Sequence, residues 1–117
     1  MIVRMFKPRF APLVKSGVKK QTIRPWPKRV PVIGEEISLR QWEDKPYRSK
    51  QIVLCDSVVT RIATVEITET GVIVDSYAEP CDAFAVADGF KDFFDLRDWF
   101  AETHGLPFSD GILIVWK

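Results

Sequence analysis

The chain has 117 residues, 46% of them hydrophobic, which is enough for one real core and too little for two. No apolar run approaches the ~20 residues of a membrane span. Met1 to Phe6 passes straight into Lys7-Pro8-Arg9, unlike a secretory leader, and Cys55 and Cys81 form neither a CxxC pair nor a metal-binding spacing. The expectation is one cytoplasmic domain over residues 1–117, with free thiols, no metal, no cofactor and no membrane contact; the oligomeric state is left open.

The first strand is expected over Val3 to Phe6. Phe10, Leu13 and Val14 fall at helical spacing, so a short helix covers Phe10 to Ser16, with Pro12 tolerated in its first turn and Gly17 closing it. Lys20 to Arg24 is a strand. Pro25, Pro27 and Pro31 then impose an extended loop that carries Trp26, Lys28 and Arg29. Val32-Ile33-Gly34-Glu35 turns into a strand from Glu36 to Trp42, where Ile37 and Leu39 alternate with polar neighbours. Glu43 to Lys50, broken by Pro46, is a loop. Gln51 to Thr68 is too long for one flat strand, so two strands or one bent strand are expected, with the break near Cys55 to Ser57. Gly71 to Asp75 forms a hairpin with its end. Cys81 to Ala87 is a short helix ending at Asp88-Gly89. Asp92 caps a longer helix with a stripe of Phe93, Leu96, Trp99 and Phe100, stopped by Gly105 and Pro107. Ile112 to Trp116 is a final strand whose unbroken apolar character implies burial on both faces.

The net charge of +1 conceals a split. Residues 1–50 carry thirteen Lys or Arg against four Asp or Glu, and residues 51–117 carry four against twelve. The halves can attract each other across the fold, and the basic half can also present a face to phosphates.

The run Gly17-Val18-Lys19-Lys20-Gln21-Thr22-Ile23-Arg24 is the most informative part of the chain. In a regular strand Lys20, Thr22 and Arg24 share one face and Lys19 and Gln21 the other. A bulge or bend near Gly17 brings Lys19 back towards Thr22 and Arg24. An ammonium, a hydroxyl and a guanidinium beside a flexible glycine suit a polar or anionic ligand; a plain surface strand with solvated cations is the simpler alternative. Trp26 with Lys28 and Arg29, and Trp42 and Tyr47 with Arg48 and Lys50, combine an aromatic with cations, as a single-stranded nucleic acid requires. Both tryptophans can instead seal the core under the loops. His104 is the sole histidine and has no ligand partners in sequence. Asp92, Asp95 and Asp98 form a solvated helix face, Ser109-Asp110-Gly111 a turn, and no phosphate-cradling glycine loop occurs.

Phe6-x-Pro8-x-Phe10, then Gly17-x-Lys19-x-x-Thr22-x-Arg24, Val32-x-Gly34-Glu35, Asp88-Gly89-Phe90 and a closing apolar strand to Trp116 together resemble an ASCH domain of the PUA-like superfamily. The similarity spans nearly the whole chain. It implies a mainly β fold with short helices: a PUA-like β-barrel of about five to seven strands with two or three helices, whose cleft is faced by Lys19, Thr22 and Arg24. ASCH domains have been proposed to bind or process RNA. One bacterial branch that this chain resembles hydrolyses the acyl amide of N4-acetylcytidine with a lysine, a threonine and a glutamate. The matching positions are Lys19, Thr22 and Asp88, an aspartate one methylene shorter.

A lysine acts as a base only when neutral, which burial and Arg24 favour and Asp88 opposes. Direct attack by Lys19 on an acyl amide would only form another amide. The roles that follow are Lys19 as proton shuttle or oxyanion stabiliser, Asp88 activating water, Thr22 fixing orientation and Arg24 holding a carbonyl or phosphate. Three functions are therefore expected in competition: an RNA- or modified-nucleoside-binding domain using Gly17, Arg24, Trp26, Tyr47, Arg48 and Lys50; a small amidohydrolase or ribonuclease using Lys19, Thr22 and Asp88; and a non-catalytic interaction domain.

Overall fold

The computed structural model describes all 117 residues. Its elements in chain order are β1 (Ile2–Met5), α1 (Ala11–Ser16), β2 (Gln21–Pro25), β3 (Glu36–Trp42), β4 (Gln51–Ile67), β5 (Val72–Val74), β6 (Tyr77–Ala78), α2 (Cys81–Ala87), α3 (Phe93–Thr103) and β7 (Phe108–Trp116). The fold is mainly β with three short helices, an α+β arrangement. None of its helices is long and apolar enough to cross a membrane.

The seven strands form one mixed sheet. Its path runs β1-β3-β4-β5-β6, with β7 on β4 and β2 on β7. The β1–β3 pair is parallel and every other pair antiparallel. The strands do not close into a ring, so the expected barrel is seen here as an open sheet. The long strand β4 joins the two parts of this sheet. Its first half pairs with β3 and its second half with β7 and β5. Around the changeover, Val59 N–H donates to Glu35 O at 2.9 Å while Val58 O accepts from Lys117 N at 3.0 Å. Neighbouring residues of a strand direct their backbone groups to opposite sides, so β3 and β7 occupy opposite edges of β4. The expected bend in this segment is a register shift: Leu39 faces Cys55 but Arg40 faces Val53, leaving Leu54 as the extra residue.

Burial follows from these neighbours. β7 lies between β2 and β4, and Ile112, Leu113 and Ile114 are all buried, as an unbroken apolar strand requires. The stripe on α3 buries Phe93, Leu96 and Phe100, and Phe100 sets its ring 5.0 Å from Phe108 on β7. Trp99 stays half-buried, because it borders an opening. Asp92 caps α3 by accepting from Asp95 N–H at 2.9 Å.

Two glycines separate conformational from steric demand. Gly34 needs a positive φ of 92° but has open space where a side chain would start, whereas a Cβ on Gly111 would meet the Phe108 ring and lie 2.9 Å from Val65 Cγ1. Gly34→Ala is expected to cost about 1 kcal/mol through backbone strain alone. Gly111→Ala should cost ~1–3 kcal/mol through overpacking between β4 and β7. Chemical denaturation of both variants checks the order.

Candidate functional site

The site is built at the point where the chain leaves α1. Gly17 takes φ 83°, outside the comfortable range of a residue with a side chain, and its N–H returns to Val14 O. Lys19 N–H then donates back to Leu13 O at 3.0 Å. This fold-back turns the Lys19 side chain inward before β2 begins, which is the bend the glycine suggested. Lys20 stays in solvent, while Lys19 is only 3% exposed.

Lys19 meets the end of α2. Asp88 is the residue after that helix, and Gly89 follows with φ 93°, so Asp88 O is one of the carbonyls a helix end leaves without an internal partner. Lys19 Nζ donates to that carbonyl and lies 3.5 Å from Asp88 Oδ1. Gln21 Nε2 donates to the same Oδ1 at 3.2 Å. Asp88 Oδ2 takes no hydrogen bond from the protein, and no fully enclosed side-chain oxygen or nitrogen lacks a partner, so Oδ2 opens onto the neighbouring cavity. Thr22 is buried on β2. Its Oγ1 accepts from Arg24 Nε at 3.0 Å, and Arg24 Nη2 donates to Met5 O at 2.8 Å.

Lys19, Thr22, Arg24 and Asp88 all line one cavity of about 350 Å³. Its walls are aromatic. Phe10 packs edge-on against Phe90 at 5.3 Å and Trp99 at 5.6 Å, and Trp99 against Phe100 at 5.0 Å. Lys19 Nζ lies 5.1 Å from the Phe10 ring centre and the Arg24 guanidinium 5.1 Å from that of Phe6. Lys7, Thr103 and His104 stand at the exposed rim. Flat apolar walls over a floor with free N–H and O–H donors and one free carboxylate oxygen suit a planar ring with a polar edge.

Burial shapes the electrostatics. It lowers the Lys19 ammonium's pKa, with Asp88 opposing and Arg24 assisting, and it raises Asp88's, with Lys19 and Gln21 opposing. Burial thus draws the two towards each other in proton affinity, while their mutual attraction works against it. Arg24 is brought down to about 10, by burial first and then by the charge of Arg4. At the rim His104 is held below its usual range by burial and by Lys7, with its ring stacked 5.5 Å from that of Phe100.

The other anticipated residues lie elsewhere. Gly17 shapes the backbone and does not line the cavity. Trp26 is 47% exposed and borders a separate open groove of about 610 Å³ with Glu66 and Asp110, a lining that contains no cation. Tyr47 is 89% exposed, its ring 5.2 Å from half-buried Trp42, and Arg48 and Lys50 are exposed near it in sequence; none of the four lines the cavity. Gln21, the rim residues and the aromatic walls were not singled out for the site in sequence. Phe10 and Phe90 stood inside the motif and Trp99 and Phe100 on the helix stripe, so their signal was present but indistinguishable from core packing.

No family model, curated protein or solved structure matches this chain.

Removing the ammonium leaves a buried carboxylate without its counter-charge. Lys19→Met is expected to lose about 3–5 kcal/mol of stability at pH 7. A carboxyl whose folded-state pKa is raised favours the native state below its unfolded pKa and loses that contribution as pH rises through the folded value. The Lys19→Met deficit should therefore shrink on acidification towards pH 4, and the double variant Lys19→Met/Asp88→Asn should recover much of it at neutral pH. Urea denaturation at the two pH values reads both effects.

Proposed function

We propose that this chain is an ASCH-type domain of the PUA-like group whose cleft binds the base of a modified nucleoside or of RNA. The observation that carries this reading is the convergence of Lys19, Thr22, Arg24 and Asp88, from β2, its approach and the end of α2, on the floor of one aromatic-walled cavity. A base entering edge-first meets donors from Lys19, Thr22 and Arg24 and an acceptor in Asp88 Oδ2, with its faces against Phe10, Phe90 and Trp99. That set of donors and acceptor matches the mixed edge of a cytosine-like ring, and stacking adds ~1–3 kcal/mol per base. The PUA-like part of the reading rests on this cleft and on a mainly β sheet that is open. NMR titration with cytidine, N4-acetylcytidine and a short oligonucleotide should shift the amides of Thr22, Gly89 and Phe90 first. Perturbation confined to the Trp26 or Tyr47 loops would defeat the reading.

A second reading is favoured by the buried Lys19–Asp88 pair: hydrolysis of an acylated nucleoside. Asp88 takes a proton from water as the water oxygen bonds to the acyl carbon. Thr22 and Arg24 donate to the resulting oxyanion. The Lys19 ammonium passes a proton to the leaving nitrogen as the C–N bond breaks, releasing a carboxylic acid and the free amine. Loss of either proton-transfer group typically costs 10²–10⁴-fold. Asp88→Asn and Lys19→Ala should each abolish measurable acetate release from N4-acetylcytidine. The acid limb of the rate profile should lie above the ordinary aspartate value of 3.8, since burial raises Asp88 and the base form appears only as pH climbs past its shifted pKa. Full turnover by Asp88→Asn would eliminate this chemistry and leave binding alone.

A further inference from the structure

The cleft is flanked by more positive charge than the fold neutralises. Ile2, Arg4 and Phe6 alternate onto one side of β1, and Ile2 and Phe6 are each 6% exposed, so half-buried Arg4 is directed towards the interior. Arg24 reaches the same strand by donating to Met5 O, the carbonyl of the residue next to Arg4. Arg4 itself donates only to Val3 O, at 2.9 Å. Of the carboxylates that act on these two guanidiniums, Asp88 is paired with Lys19 and Glu35 with Arg29. Neither Arg4 nor Arg24 has an ion-pair partner of its own. The Arg24 guanidinium lies 5.1 Å from the ring of Phe6, on the side of β1 that Arg4 shares, and two guanidiniums partly withdrawn from water with no ion pair of their own favour an anion between them. Arg24 also lines the cavity while Arg4 does not, so the anion would sit at the edge of the base-sized space.

We propose that Arg4 and Arg24 form a phosphate subsite beside the cleft, so that the ligand is a phosphorylated nucleoside, either a mononucleotide or one residue of an RNA strand. This assignment rests on the nucleobase reading of the cavity for its context, but the subsite itself is a property of the two arginines. Arginine suits it because its planar fork meets two phosphate oxygens at once. Arg29, the exposed arginine of the neighbourhood, is held by Glu35.

The test follows the Arg4 and Arg24 Nε–Hε signals by NMR during titration with inorganic phosphate, then compares affinities for cytidine and cytidine 5′-monophosphate. Phosphate should shift both signals saturably. The monophosphate should bind about tenfold more tightly than cytidine, and Arg4→Gln should remove that advantage while leaving cytidine affinity unchanged. Arg4→Lys, which keeps charge and bulk but not the fork, should retain part of it. A dinucleotide that binds more tightly than the monophosphate places the subsite on an RNA strand, and the reverse order on a free nucleotide. If phosphate shifts both arginines while neither cytidine nor its monophosphate binds, the subsite stands and the nucleobase reading falls. Unmoved arginine signals, or equal affinity for cytidine and its monophosphate in the unaltered protein, overturn the subsite.

Discussion

The buried pair of Lys19 and Asp88 is the constraint around which this molecule is arranged. One partner comes from the basic half of the chain and the other from the acidic half, so the charge split of the sequence is expressed internally at one point. Withdrawing two ionised groups from water is unfavourable unless geometry supplies compensating contacts. Here the ammonium also satisfies a helix-terminal carbonyl and the carboxylate also accepts from Gln21. Those extra contacts fix which carboxylate oxygen is occupied and which is free. The pair is thus structural in cost and chemical in outcome.

Around it, every neighbouring element has a positional reason. Gly17 turns the chain so that Lys19 enters the interior. Gly89 does the same from the other side, and a Cβ there would stand 2.9 Å from Lys19 Cδ. The lysine stem therefore lies against the glycine's bare backbone, where a methyl group would displace it. The aromatic walls come from residues that also build the core, which is why cavity and core cannot be repacked separately.

Much of this was legible in sequence where local chemistry decides the outcome. The strand from Glu36 to Trp42, the helix from Cys81 to Ala87 and the Asp92 cap follow from alternation, composition and capping, and they occur where expected. The grouping of Lys19, Thr22 and Arg24 was also accessible, because Gly17 marks where the backbone must turn, whereas Asp88 joined them only through the family resemblance. Two features were not. The two-residue strand Tyr77–Ala78 exists only because β5 offers it an edge, a long-range condition with no local signature. Trp26, Tyr47, Arg48 and Lys50 have the composition of a nucleic-acid surface, but composition does not specify which side of a sheet a loop joins. Arg4, half-buried on β1, carried no signal that set it apart from a surface cation of the basic half.

The change of edge at Val58 and Val59 bears on how this chain can vary. A strand that serves one partner with its early residues and another with its late ones depends on the parity of its length. Adding or deleting a single residue between the two portions would turn every subsequent donor and acceptor to the wrong side. Length variation among descendants of this sequence should therefore accumulate in the 43–50 loop, where the backbone is free to lengthen, while the segment from Cys55 to Ile67 stays fixed in length even where its side chains drift.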